Sequence, residues 1–255
     1  MKMNPHRVFL LGGYDLEMLT IKQMLEGKED CIIMDKHLLW DNARLSAYKD
    51  ALSIFADYEI YGIELQEDSS PPLNYHRIDH HNDWADKPSS LEQVAEILGE
   101  MLSRYQQLVA ANDRGYIPAM LALGASQEEI DDIRRKDREA QGVTEEDEAL
   151  AEKAIAENLH VYKGVIVVKA LTSRFSPICD RLYPYQRLLI YTDSEWMFFG
   201  EGKAELVSLM AEDIRQKREF HGGGDNGYIG TVQNTYDKTA IEKFIKQTIK
   251  EYESV

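Results

Sequence analysis

Asp15-Leu16-Glu17, Glu64, the run Asp79-His80-His81 and Asp113 are the residues of this sequence best suited to do chemistry together. Carboxylates mixed with imidazole suit Mn2+ or Mg2+ better than Zn2+, which favours thiolate and imidazole sets. Several carboxylates gathered in one place repel one another unless cations sit between them. Convergence of these side chains would therefore imply a metal.

Their positions relative to the apolar runs predict that they converge. Arg7–Leu11 reads as a strand that ends at Gly12-Gly13, with Asp15 and Glu17 just beyond. Cys31–Met34 and Glu59–Leu65 read as further strands, the latter carrying Glu64 at its end. Tyr75–Ile78 precedes Asp79, and Leu108–Ala111 reads as a fifth strand before Asp113. Between them lie helical stretches at Leu16–Leu25, Leu45–Phe55 and from Ser90 onward, where Ser89 and Glu92 have capping-box spacing. Strands alternating with helices predict an α/β fold built on a mostly parallel, doubly wound sheet. In such sheets ligands bind beyond the carboxyl ends of the strands, where these acids fall.

Residues 117–158 read as helical, with helix starts at Ser126/Glu129 and Thr144/Asp147. Glu128–Arg138 is dense in charge of both signs and reads as an exposed connector. From Val161 the pattern resets to a strand over Val161–Ala170, a hairpin across Asp193-Ser194, a helix over Ala204–Glu219, a glycine run at Gly222–Gly224 and a last helix with an Ile241–Tyr252 apolar stripe. The predicted organisation is a first domain over 1–124, a helical connector over 125–158 and a smaller α+β domain over 159–255.

The composition, 44% hydrophobic, supports a real core, and the formal charge of −16 disfavours long duplex nucleic acid, whose binding needs displaced counterions. No apolar run reaches the roughly 20 residues of a membrane span. Met1–Arg7 has no signal-peptide layout, and Cys31 and Cys179 do not form a disulfide framework, so a cytoplasmic setting is expected. The sequence does not fix the oligomeric state; a homodimer is compatible with it.

Tyr75-His-Arg-Ile-Asp79-His80-His81 resembles the signature strand end of the DHH phosphoesterases. Asp15-Leu-Glu17 is similar to that superfamily's first motif, two acids separated by one residue. Ser89-Ser90-Leu-Glu-Gln-Val resembles its Ser-rich helix start, and Leu108-Val-Ala-Ala-Asn-Asp113-Arg-Gly resembles a later motif ending in a metal-binding Asp. Gly222-Gly223-Gly224 resembles the glycine-rich loop of the second, DHHA1-type domain.

The resemblance implies two divalent ions, Mn2+ or Mg2+, that activate a water for attack on phosphorus. Asp15 would hold one ion and Glu17 the other, with Glu64, His80 and Asp113 completing the set. His81 would contact the phosphate and Asp79 would stand close behind as a catalytic partner. Gly222, Gly223, Gly224, Asp225, Asn226 and Arg114 would bind substrate. The sequence departs from the pattern at Gly12-Gly13, where the motif begins with His, at Glu17 and Glu64, where it has Asp, at Arg114, and at Asp225-Asn226, where it has His. The implied function is hydrolysis of a small phosphorylated molecule such as a nucleotide, short oligonucleotide or cyclic dinucleotide. A catalytically reduced nucleotide-binding or sensor protein and a pyrophosphatase are the alternatives.

Overall fold

The structure, a computed structural model, describes residues 6–224, 226–232, 235–236, 238–239 and 243. It divides into two compact units, Met1–Gly142 and Val143–Val255.

The first unit is built on strands β1 (Arg7–Leu10), β2 (Cys31–Met34), β3 (Glu59–Ile63) and β4 (Tyr75–Ile78). They form an all-parallel sheet in the order β2-β1-β3-β4. Parallel strands covered on both faces need apolar side chains pointing both ways, and Val8, Phe9 and Leu10 are all fully buried. One face carries α1 (Leu16–Leu25), α3 (Ser90–Leu98), α4 (Arg104–Ala122) and α5 (Gln127–Ala140), which pack on one another. The other face is closed by the segment leading into α2 (Lys49–Ile54), through Ala43, Leu45, Tyr48 and Ala51 against Val8, Leu10 and Ile60. The Tyr48 hydroxyl donates to the Leu11 carbonyl at 2.6 Å, fixing the turn that leaves β1. Leu11 N–H in turn donates to Met34 O, so β1 ends beside β2 and hands the chain directly to α1.

The second unit begins with α6 (Glu145–Asn158) and continues through β5 (Leu159–Tyr162), β6 (Val165–Lys169), α7 (Ser176–Leu182), β7 (Arg187–Tyr191), β8 (Trp196–Gly200), α8 (Lys203–Leu209), α9 (Ala211–Arg215), β9 (Glu219–Gly222) and β10 (Tyr228–Thr231). Its sheet runs β5-β6-β7-β8-β10-β9, with only the β6–β7 pair parallel. Val168, Leu188 and Ile190 pack towards α6 and α7, whereas Val167, Leu189 and Phe198 face the α8 side, so each strand feeds two cores. An α/β unit with a parallel sheet and a smaller α+β unit are thus present as expected. Among the described residues no helix is long and apolar enough to cross a membrane.

Four expectations change. The helix expected over Ala204–Glu219 divides into α8 and α9 and stops before Glu219, which opens β9. Leu108–Ala111 is helix, not strand: Ser103 and Gln106 form a capping box that starts α4, and the short apolar run is its buried face. The run Val161–Ala170 divides at Lys163-Gly164 into the antiparallel pair β5 and β6. Residues 125–158 do not form one exposed connector. α5 is packed on α1 and α4 within the first unit, with Ile130, Ile133, Arg134, Asp137 and Arg138 buried, and α6 packs in the second. The predicted final helix lies outside the described residues.

Candidate metal centre

The ends of β1, β3 and β4 deliver Asp15, Glu64 and His80 to one place. Gly12 makes the approach between β1 and β3 close: a Cβ there would lie 2.3 Å from the Ile63 carbonyl oxygen and 2.6 Å from that of Glu64. Glu64 itself adopts the left-handed region, at φ 51°, with its N–H donated to Ile78 O at 2.8 Å. For a residue with a side chain this conformation costs energy, and it turns Glu64 off the strand and into the site. Asp113 arrives from α4, two residues before that helix breaks at Gly115-Tyr116, where Tyr116 has φ 57°.

Nε2 of His80 lies 2.6 Å from Oδ2 of Asp113, 3.3 Å from Oε1 of Glu64 and 3.6 Å from Oε2 of Glu17. Glu17, Glu64 and His80 are almost wholly buried. Two carboxylates are held by the start of α3. The Ser90 hydroxyl donates to Oε1 of Glu64 at 2.7 Å, and the Leu91 N–H donates to Oε1 of Glu17 at 3.1 Å. Each carboxylate nevertheless keeps one oxygen that makes no aligned hydrogen bond. Oε2 of Glu17, Oε2 of Glu64, Oδ2 of Asp113 and Nε2 of His80 are all buried, and none is aligned in a hydrogen bond. One ligating atom each from Glu64, His80, His81 and Asp113 also lie within 4.8 Å of one another.

Buried polar atoms are rarely left without a hydrogen bond, and such atoms beside a convergent group of carboxylates and imidazoles fit a cation. The donor set, three carboxylates and an imidazole, fits a hard divalent ion. The titration behaviour agrees. Burial, then repulsion from Glu64 and Asp113, raises the Asp15 carboxyl well above the usual range. Burial followed by the Glu17 charge pushes Asp113 up to about 6, and burial also raises Glu17. Burial opposes a charged His80, but its contacts to Asp113, Glu17 and Glu64 outweigh it and push the imidazole up to about 12. In this state His80 carries the cation that the acids require.

The neighbouring residues differ in role. Oδ1 of Asp15 caps α1 by accepting from Met18 N–H at 2.8 Å. Asp79 turns onto His81, accepting from its N–H at 2.9 Å and lying 3.2 Å from its Nδ1. His81 is half-exposed, at the rim, and Trp40 stands edge-on to it with ring centroids 5.5 Å apart.

No protein-family model and no curated protein sequence matches the chain. Solved structures do. The pGpG-specific phosphodiesterase PggH from Vibrio cholerae superposes over 98% of this chain and 99% of its own, at TM-score 0.54 and 14% identity. The DHH domain of a protein described as a member of a ribosomal-protein family matches 96% of this chain and 87% of its own, at TM-score 0.52 and 12% identity. The chain has the DHH fold. In that fold Asp79-His80-His81 closes β4 beside the buried acids.

Of the residues singled out in the sequence, Glu17, Glu64, His80 and Asp113 meet directly, Asp15 faces Glu64 and Asp113, and Asp79 reaches the group through His81. Arg114 points elsewhere, lying 3.8 Å from Glu92. In the second unit, Gly222 ends β9 and Gly223-Gly224 begin the turn after it, and the buried Lys203 ammonium donates to the Gly224 carbonyl at 2.6 Å. Asn226 follows in the same turn, and Asp225 lies outside the described residues.

Three supports of this centre were not among the residues singled out in the sequence. Ser90 orients Glu64. Arg134 donates to Asn112 at 2.9 Å and Asp137 at 2.7 Å and lies over the Tyr116 ring, bracing α4 on both sides of Asp113. Asp137 also accepts from Leu16 N–H at the start of α1, at 3.4 Å. The signal was present: Ile130, Ile133, Arg134 and Asp137 share one helical face, so the polar pair continues an apolar stripe.

Proposed function

We propose that this protein is a divalent-metal-dependent phosphoesterase acting on a small phosphorylated substrate: a nucleotide, a short oligonucleotide or a cyclic dinucleotide. The observation that carries the reading is the buried cluster in which one ligating atom each from Glu64, His80, His81 and Asp113 lie within 4.8 Å of one another, with Glu17 Oε2 3.6 Å from His80 Nε2. Mn2+ or Mg2+ held there would supply a nucleophilic water at neutral pH and offset the charge developing on phosphorus. The chain's own residues do the rest. Ser90 and the Leu91 N–H hold Glu64 and Glu17 in place, so that little reorganisation accompanies the reaction. Asp79 engages Nδ1 of His81 and so orients the ring. Burial opposes charge on His81, but the Asp79 contact outweighs it and raises its pKa, favouring an imidazolium that donates to a phosphate oxygen. The net charge of −16 favours a small ligand over a long phosphate backbone.

The test is a substrate screen with Mn2+ and with Mg2+, before and after chelation. pGpG, which names the substrate of the Vibrio protein, comes first, followed by mononucleotides, short oligonucleotides, cyclic dinucleotides and pyrophosphate. Metal-dependent release of phosphate or mononucleotide supports the proposal; no turnover with any divalent ion refutes it. A binding or sensor protein is the second reading. Gly13 favours it, because a Cβ there would lie 2.4 Å from the Trp40 ring and no side-chain ligand can extend from this position. Saturable nucleotide binding without turnover would establish that reading.

A further inference from the structure

We infer that Trp40 is the platform on which a nucleobase of the substrate stacks, which makes the substrate a nucleotide or short oligonucleotide and not a sugar phosphate or pyrophosphate. The inference rests on the phosphoesterase reading above and deepens it.

Three rings lead from the buried centre to the surface. The His80 and His81 ring centroids are 4.2 Å apart, and those of His81 and Trp40 are 5.5 Å apart. Exposure rises along the row, from 6% for the His80 side chain to 40% for that of His81 and 45% for Trp40. A phosphate held at the centre and touched by His81 would leave the rest of its nucleotide within reach of the indole.

The indole is also fixed. Trp40 opens a 3-10 turn over Trp40–Asn42, in which the Asn42 N–H donates to the Leu39 carbonyl at 2.8 Å. Leu38 forms a parallel bridge with Gly13, and the Lys36 N–H donates to the Tyr48 hydroxyl at 3.2 Å. Asp35 accepts from the His37 N–H and from the Lys22 ammonium, both at 2.8 Å. Gly13 seats the ring: Cδ2, Cε2 and Cε3 of Trp40 lie 2.4, 2.6 and 2.7 Å from where a Cβ at that position would stand. Cδ2 and Cε2 are the ring-fusion carbons, bonded on every in-plane side, so Gly13 covers a face of the indole and not its rim. The exposed area of Trp40 is therefore its outer face and rim.

A rigid aromatic face open to solvent beside a phosphate-handling centre suits a flat π-system. Of the parts of a small phosphorylated molecule, only a base supplies one, and stacking on an aromatic side chain tolerates any base. Charge argues the same way. The chain carries a net charge of −16, so away from the metal a neutral stacking contact adds affinity that the acids do not oppose. The two other tryptophans are placed differently: Trp196 is 1% exposed, and the Trp84 ring has Lys87 and Arg77 over it at 4.2 and 5.2 Å.

The experiment is binding of GMP, AMP, UMP and ribose 5-phosphate to the full chain in Mg2+, by calorimetry and by indole fluorescence. The nucleotides should bind about fivefold to a hundredfold more tightly than ribose 5-phosphate, the usual value of one stacked base. Trp40→Ala should abolish that preference, Trp40→Phe should keep most of it, and ribose 5-phosphate should bind all three chains alike, a pattern that a merely structural Trp40 would not give. GMP should quench the fluorescence of a Trp84→Phe chain, where Trp40 is the exposed indole that remains, and this carries the test if circular dichroism shows Trp40→Ala unfolded. On the best substrate of the screen, Trp40→Ala should raise KM and leave kcat nearly unchanged. Nucleotides that bind no better than ribose 5-phosphate, a base preference that survives in Trp40→Ala, or no quench in Trp84→Phe would overturn the platform while leaving metal-dependent hydrolysis intact. Base-dependent binding lost in Trp40→Ala, in a chain that turns over no phosphoester with any divalent ion, would keep the platform and overturn the phosphoesterase reading.

Discussion

Replacing His80 with Ala tests the electrostatics of the centre before any substrate is known. In the metal-free protein the imidazolium is, among the described residues, the cation for which close contacts to Glu17, Glu64 and Asp113 are seen. At an effective dielectric of about 20, each contact near 3 Å corresponds to roughly 5 kcal/mol of gross attraction, most of which offsets the desolvation of the charges. Removing one partner of such a buried group typically costs about 3–5 kcal/mol, because the remaining charges stay buried and unpaired. For a unit of this size that corresponds to a melting temperature lower by roughly 6–20 °C. The two units need not unfold together, so hydrogen exchange at pH 8 is the assay of choice. Peptides from α1, α3 and α4 should lose protection, while peptides from residues 159–200 serve as the internal reference. Adding Mn2+ should restore part of the loss, since a cation again separates the carboxylates, although with one ligand fewer the ion binds more weakly. A metal-free His80→Ala chain with parental protection in α1 and α4 would refute the reasoning, because the acids would then not need their cation.

His81→Ala should leave Mn2+ content unchanged and lower turnover about a hundredfold to a thousandfold, the usual value of a contact to developing charge; elemental analysis beside kinetics on the best substrate decides it. Arg134→Ala should destabilise the first unit by about 3–5 kcal/mol by leaving Asp137 buried and unpaired, whereas Arg135→Ala, whose partners Asp132 and Glu139 are exposed, should cost under about 1 kcal/mol. Equal denaturation midpoints for the two variants would contradict a packed α5. Glu219, buried on β9 with Oε2 unpartnered, is pushed up to about 7 by burial, partly offset by the Tyr236 hydroxyl. A carboxyl whose folded pKa is raised favours folding below its unfolded pKa and loses that contribution as pH rises through the folded value. The second unit should therefore lose stability between about pH 5 and pH 8, by at most about 3 kcal/mol and less as water reaches the carboxyl. Glu219→Gln should flatten that slope, and an unchanged slope in urea melts would count against it.

What could be read from the sequence was whatever depends on local order. The strand-end positions of Asp15, Glu64 and Asp79-His80-His81 follow from apolar runs and glycine stops, and the structure places each there. Cap spacing at Ser89, Ser126 and Thr144 also located helix starts correctly, since a capping box involves only four consecutive residues. Leu108-Val-Ala-Ala misled because a four-residue apolar run suits a buried strand or the inner face of a helix equally; Ser103 and Gln106, just upstream, would have decided it. The charge of α5 misled for a different reason. Charge density along a helix says how much surface is polar but not which side of it is solvated, and Arg134 with Asp137 is a neutralised pair facing inward.

The features that decide the chemistry are the ones local order cannot supply. Ser90 and Glu64 are 26 residues apart, Leu91 and Glu17 are 74 apart, and nothing in either segment alone marks the pairing. The same holds for Gly13 and Trp40. Read along the chain, Gly12-Gly13 departs from the resembled motif, and nothing connects it with Trp40. Read in space they are one feature, in which the ring occupies the room that a side chain at position 13 would need.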